Sequence, residues 1–230
     1  MKKALLAAAM ITMILGVNCS WAQELEKKDV ESAAPLSVVM FVRGDVCQPK
    51  GGEVSMDADL FAWVYSGSFG GGGQVTIAPD SNYTKVRGFV SYKFAKLADG
   101  PVIAILGATT SSTGANHIQT EAWWINTVAN GKIDFLVDLT QNWAVSKEAG
   151  SYLDLYGESV YKITGKVAIG PALGYDHYWK TGGDSGAIGP IAYYKLTDKL
   201  SPFVRPMYGW DTRPGKEDSW NLRFGIKGVF

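Results

Sequence analysis

Two short polar segments carry the residue types that hydrolytic enzymes use. Asp176-His177 is followed along the chain by Asp184-Ser185. A histidine can take a proton from a serine hydroxyl, and an aspartate can orient that histidine. We nevertheless expect no catalytic residue and favour a rim histidine without a catalytic role. His177 is the candidate that an enzyme would use, although neither it nor His117 lies in the sequence context of a known serine protease. No motif indicates a cofactor or a metal, and we expect neither.

A more regular signal is the placement of charge within segments of alternating polarity. In 132–140, Asp134 and Asp138 alternate with apolar residues, and in 152–163 Asp154 and Glu158 do the same. Successive side chains of a strand point to opposite faces, so these charges share the face opposite the apolar residues. The charged residues that we assign to this polar face are Asp57, Asp59, Arg87, Lys93, Asp134, Asp138, Asp154, Glu158, Arg205, Arg223 and Lys227.

Ten segments with this strand-like alternation follow one another from Glu53 onward. Tight connections such as Ala129-Asn130-Gly131 alternate with longer ones such as Gln141 to Ser151, and Asn-Gly is a strong hairpin signal. A soluble sandwich gives no reason for such an alternation. The segments are 53–66, 84–95, 101–109, 117–128, 132–140, 152–163, 166–178, 186–196, 201–211 and 219–230.

The last segment, Trp220 to Phe230, is apolar or small at every second position. Its length of about 10 residues suits a strand that crosses a bilayer. Arg223, Gly225 and the terminal Phe230 resemble the C-terminal signature that bacterial outer-membrane β-barrels present to their assembly machinery. Gly228 departs from that signature, since an aromatic or aliphatic residue is usual there. The resemblance implies an all-β, antiparallel up-and-down transmembrane barrel over 53–230.

The N-terminal residues predict export. Lys2 and Lys3, an apolar run from Ala4 to Val17 and a small-x-small site at Ser20 to Ala22 are typical of a cleaved signal peptide at 1–22. Residues 23–52 are expected to form a periplasmic N-terminal segment or an extra strand. The predicted location is the bacterial outer membrane.

The number of strands depends on two uncertain segments. About ten strands follow from the alternating connections, with Gly70 to Gly73 in a flexible surface loop. Twelve strands follow if Leu36 to Arg43 and Gln74 to Ala78 are both strands, because adding two preserves the parity.

Charge facing hydrocarbon is costly, so the charged set should face the lumen. There it can form ion pairs that fill a small barrel, which we favour, or line a path for a small solute. We expect a monomeric porin-like or structural barrel with at most a narrow polar passage. Its expected partners are outer-membrane lipids and the assembly machinery.

The sequence also leaves two other functions open. One is a lipid- or peptide-processing enzyme that uses His177 at the outer rim, and the other is a soluble periplasmic β-protein that binds an apolar ligand. Without its signal peptide the chain has 20 basic residues against 22 acidic ones. This balance argues against a nucleic-acid partner.

Overall fold

The computed structural model describes residues 35–147 and 149–230, which form one closed antiparallel β-barrel. The predicted signal peptide and Gln23–Ala34 lie outside the described residues. Each strand pairs with its neighbours in the sequence, and β1 pairs with β12 to close the sheet. The strands are β1 (Leu36–Pro49), β2 (Ser55–Ser66), β3 (Phe69–Ala78), β4 (Tyr83–Leu97), β5 (Gly100–Ser111), β6 (Asn116–Val128), β7 (Ile133–Ala144), β8 (Tyr152–Lys162), β9 (Val167–Tyr178), β10 (Gly183–Tyr194), β11 (Leu200–Asp211) and β12 (Ser219–Val229).

The barrel therefore has twelve strands, and the expectation of about ten was too low. All ten segments assigned from the sequence are strands, and the two additional ones are β1 and β3. They lie where the twelve-strand alternative placed them, although both are longer than Leu36 to Arg43 and Gln74 to Ala78. The segment 23–52 thus contributes an extra strand of the barrel.

The glycine run at 70–73 belongs to β3 and is not a flexible loop, which corrects the expectation from sequence. Gly70 and Gly72 lie on the inner face, beside the bulky side chains of Trp63 and Phe89. A Cβ atom on Gly72 would lie 2.7 Å from Phe89 Cζ, and one on Gly70 would crowd Trp63. The glycines thus provide the space that these aromatic side chains occupy.

The two ends of the barrel are distinguished by the chain termini. We call the end that holds the start of β1 and Phe230 the terminal end, and the opposite end the loop end. The terminal end has the connections 67–68, 98–99, 129–132, 163–166 and 195–199, and the loop end has 50–54, 79–82, 112–115, 145–151, 179–182 and 212–218. A single 3-10 turn, Pro79–Ser81, interrupts the sheet structure at the loop end. Among the described residues, no helix is long and apolar enough to cross a membrane.

The outer face of the barrel is strongly apolar. Side chains that point outward from mid-strand positions are aliphatic or aromatic and exposed, including Val90, Leu106, Leu173, Ile188 and Phe224. A soluble protein rarely exposes so continuous an apolar surface. A barrel that faces hydrocarbon requires a continuous apolar surface, because its outward residues are solvated by lipid. This surface argues against the soluble ligand-binding alternative.

The lumen is divided into an apolar half and a polar half. Phe61, Trp63, Phe89, Ile103 and Ile105 form a buried cluster on β2, β4 and β5, towards the terminal end. A second cluster, built from Val160, Ala172, Ile191 and Met207, covers the inner face of β8 to β11. Charged side chains are concentrated between these clusters and the loop end.

Candidate functional site

A cavity of about 650 Å³ occupies the polar part of the lumen. Its wall includes Arg43 and Asp45 of β1, Arg87 of β4, Glu121 of β6 and Arg223 of β12. These residues face inward because they share the phase of the strand residues that pack in the lumen. The candidate functional site of the protein is this polar cavity.

Ion pairs join neighbouring strands along one side of the polar cavity. Arg43 Nε donates to Asp59 Oδ2 at 2.5 Å, and Arg223 donates to Asp45. Arg87 crosses the inner face of β5 to reach Glu121 of β6. Gly107 lies on the inner face of β5 between them, and a Cβ atom there would be in van der Waals contact with Arg87 Nε at 3.5 Å.

The carboxylates of Asp45, Asp57 and Asp59 lie within 4.8 Å of one another. Such a cluster can hold a cation, but two of its members already bind arginines. Asp59 also accepts hydrogen bonds from Gln74 Nε2, at 3.1 Å, and from Thr76. The arginines thus supply the positive charge that a metal ion would otherwise bring.

The opposite side of the polar cavity is less neutralised. Asp154 of β8 lies directly across from Asp176 of β9, and both line the cavity. Within the described part of the chain, neither they, Asp138 nor Arg205 forms an ion pair. Arg205 is only 7% exposed, and its guanidinium lies 4.7 Å from the ring centre of Tyr156.

The structure places all the charges that we assigned to the polar face on the inner side of the barrel. Most line the polar cavity, whereas Asp134 and Lys227 lie at the terminal end around a smaller cavity of about 290 Å³. Lys93, also inward, lies with its ammonium 4.1 Å from the ring centre of Tyr65. These charges do form ion pairs, as we favoured from the sequence, and two of the pairs join adjacent strands: Arg223 bonds to Asp45 of β1, and Asp134 pairs with Lys162 of β8.

Several inward charges were missed from the sequence. Arg43 and Asp45 lie in β1, which the ten-strand interpretation left outside the barrel. Lys85, Glu121 and Asp176 also line the polar cavity. The alternation of His117, Gln119 and Glu121 with apolar or small residues could have revealed Glu121.

One polar contact stands between the two cavities. Glu158 and Tyr193 line both of them. Glu158 accepts hydrogen bonds from Tyr193 Oη at 2.8 Å and from Tyr156 Oη at 2.5 Å. This tyrosine–glutamate contact is the point at which a path from one end of the lumen to the other must narrow.

The loop end is partly covered by Arg213. Its guanidinium hydrogen-bonds to Asp211, which raises the pKa of Arg213, and lies 3.9 Å from the ring centre of Tyr178. A Cβ atom on Gly183 would meet Arg213 Cγ at 2.6 Å, so the glycine leaves the space that the Arg213 side chain occupies. Arg213 is thereby held at the mouth of the polar cavity.

The residues of the hydrolase candidate are divided between the two faces of the sheet. His177 Nδ1 lies 2.7 Å from Asp184 Oδ1 on the outer face, where Tyr175 Oη also donates to the same oxygen at 2.7 Å. Ser185 Oγ instead donates to Asp176 Oδ2, at 3.0 Å, on the inner face. His177 and Ser185 are therefore separated by the sheet itself. The residues do not assemble a histidine-activated serine.

The chain resembles known proteins in its fold but not in its sequence. The chain matches no protein-family model and no curated protein sequence. It is similar in structure to the KdgM porin in complex with disordered oligogalacturonate, with a TM-score of 0.62, 14% identity and coverage of 84% of this chain and 99% of that one. The fold is that of an outer-membrane channel.

Two more solved structures show the same likeness. The NanC porin matches with a TM-score of 0.62 and 12% identity over 82% of this chain and 98% of that one. An outer-membrane channel from Pseudomonas putida F1 matches with a TM-score of 0.60 and 10% identity over 89% and 98% of the two chains. The likeness to the outer-membrane β-barrel class, suggested by the C-terminal residues, is confirmed at the level of the fold.

Proposed function

We propose that the protein is a monomeric, porin-like channel of the bacterial outer membrane with a narrow polar passage. The polar cavity carries this proposal, because a barrel that served only as a structural element could fill its lumen throughout. The apolar outer face and the fold shared with outer-membrane channels support the location. One chain closes the sheet by itself, so no second copy is needed to complete the barrel.

The passage that we propose has three parts. A solute enters the polar cavity at the loop end, passes the contact of Glu158 with Tyr193, and leaves through the smaller cavity at the terminal end. Lipids contact the outer face, and the assembly machinery recognises Arg223 and Gly225 of β12 together with Phe230, which follows that strand. Export through a signal peptide at 1–22 brings the chain to that machinery.

Cys47 provides the test of this function. It lines the polar cavity and is the free cysteine of the described residues. Refolded protein in a planar bilayer should give single-channel current steps in KCl. A charged methanethiosulfonate reagent should reduce those steps, since it adds bulk and charge inside the lumen. Cys47→Ser should conduct but resist the reagent.

Each outcome of the recording has a clear meaning. Absence of current from correctly folded protein would overturn the channel proposal in favour of a purely structural barrel. Wild-type current that the reagent leaves unchanged would contradict a passage that runs beside Cys47. Folding is checked independently by the shift in gel migration between heated and unheated samples.

A further inference from the structure

Two acids of the polar cavity form no ion pair among the described residues. Asp154 and Asp176 are direct cross-strand partners on the inner face of β8 and β9. Side chains in that relation have Cβ atoms about 5 Å apart, and like charges placed so destabilise a sheet. Ser185 donates one hydrogen bond to Asp176, but a neutral hydroxyl does not cancel the repulsion. A positive group placed between the two carboxylates would cancel this repulsion.

A second, independent feature lies beside the acid pair. Arg205 is more than nine-tenths buried and lines the same cavity, yet its Nε finds no hydrogen-bond partner among the described residues. Leaving a buried donor of a charged group unsatisfied is costly. An acceptor carried by a ligand would satisfy it.

Small residues explain how Arg205 can reach Tyr156 on β8. It projects from β11 and reaches the ring of Tyr156 on β8, which means that it passes β9 and β10. The inner face of those two strands carries Gly174, Ala187 and Gly189. A Cβ atom on Gly174 would meet nothing within 4 Å, so the space beside it is open.

Arg205 and the acid pair face the same cavity. Tyr156, beneath the guanidinium, is two residues from Asp154 on the same face of β8, a spacing of about 7 Å along the strand. A small solute on this face of β8 therefore meets both groups.

On the basis of the channel function proposed above, we infer that the polar cavity selects small zwitterionic solutes of the amino-acid type. The ammonium group binds between Asp154 and Asp176, and the carboxylate accepts hydrogen bonds from Arg205. Each end of the solute then contacts a group that forms no ion pair among the described residues. The chemistry recognised is an amine and a carboxylate held a few bonds apart, as in free amino acids and short peptides.

The test compares permeation of L-serine with that of glycerol, a neutral solute of similar size, in swelling assays with proteoliposomes. The wild-type channel should admit L-serine faster by about threefold to tenfold, the effect expected of partly solvated charged hydrogen bonds. Asp154→Asn with Asp176→Asn, and separately Arg205→Leu, should reduce the ratio to about one. Asp99→Asn is the matched control, because this acid lies in a turn at the terminal end, where its φ of 68° suits asparagine.

Failure of this inference can be separated from failure of the channel function. Variants that still conduct KCl, respond to the thiol reagent and migrate as folded barrels have kept the passage. If the wild-type ratio is already near one, or the variants keep the wild-type ratio, the zwitterion site is wrong while the channel stands. If the aspartate variant loses the preference and Arg205→Leu keeps it, the site takes a simple cation, and the inference is also overturned. Loss of all swelling and current in the wild type overturns both.

Discussion

Asp59 illustrates what a charged side chain needs inside a barrel. It is 6% exposed and accepts hydrogen bonds from Arg43, Gln74 and Thr76, which lie on the two strands that flank β2. Asp59→Ala would leave Arg43 and two neutral donors without their acceptor. We expect a loss of about 3 kcal/mol, at the lower end for a buried pair because water can reach Arg43. Urea unfolding of the refolded barrel, followed by tryptophan fluorescence, measures it.

Asp198 provides the matched control for that change. It also accepts an ion pair, from Lys195 at 2.7 Å, but it lies fully exposed in a turn at the terminal end. The bond from Lys195 holds the pKa of Asp198 below its usual range, although exposed pairs contribute little to stability. Asp198→Ala should therefore leave the urea midpoint unchanged. Equal midpoints for both variants would contradict the stabilising role of the inner ion pairs.

The glycines on the inner face of β3 allow a second prediction about single residues. A Cβ atom on Gly72 would meet both the Phe89 ring and the backbone of Ala62, whereas one on Gly88 of the next strand would meet nothing within 4 Å. Gly72→Ala should destabilise the barrel by about 1–3 kcal/mol through overpacking. Gly88→Ala should be neutral in the same unfolding measurement. A neutral Gly72→Ala would show that the aromatic cluster is loosely packed.

The chemistry of single residues was only partly foreseeable from the sequence. The two-residue period is enough to place Asp134, Asp138, Asp154 and Glu158 on one face, and all four do face inward. Their partners could not be inferred, because pairing depends on which strands are neighbours and on how far each side chain reaches. Arg223 bonds to Asp45 of β1, a strand that the ten-strand interpretation excluded. Similarly, the two-residue period could not show that His177 and Ser185 lie on opposite faces of the sheet. That placement depends on the register between β9 and β10, which the sequence does not give.

At the level of strands, β3 shows why the count was missed. A strand is recognised in a sequence when polar and apolar side chains alternate. A run of glycines has no side chains and therefore shows no such pattern. Gly70 to Gly73 therefore resembles a loop by composition, although β3 is fully paired on both sides. In β1, Arg43 and Asp45 fall among apolar residues and Pro49 ends the strand, which weakened the signal.

The twelve-strand topology makes a prediction about the turn at Gly67 and Ser68. Twelve strands place this turn at the terminal end, with Phe230, and hence on the periplasmic side of an outer-membrane barrel. In a Cys47→Ser background, Ser68→Cys should resist an impermeant thiol label added to intact cells. Thr181→Cys, in an exposed turn at the loop end, should label readily. Labelling at Ser68 before the cells are lysed would place the turn outside and restore a ten-strand order.

The molecule as a whole combines a packed half with a polar half. Aromatic side chains of β2, β4 and β6 stack across the lumen near the terminal end: Phe61 lies 5.5 Å from Phe89 and 6.1 Å from Trp123 between ring centres. This packing leaves the side of β7 to β12 as the route through that half. In the channel that we propose, the charged wall nearer the loop end selects solutes, and the packed half limits their size.

The contact between Glu158 and Tyr193 should set the size of the route, because both side chains line the polar cavity and the smaller one beyond it. Tyr193→Ala removes a ring that packs 5.6 Å from Phe203 and frees one oxygen of Glu158. Since flow through a narrow pore depends on its constriction, single-channel conductance should rise by about twofold or more. Tyr194→Ala is the matched control, since the neighbouring ring is exposed on the outer face. It should leave conductance at the wild-type value, and an increase in both variants would mean that general loosening of the barrel, rather than removal of a constriction, had opened the lumen.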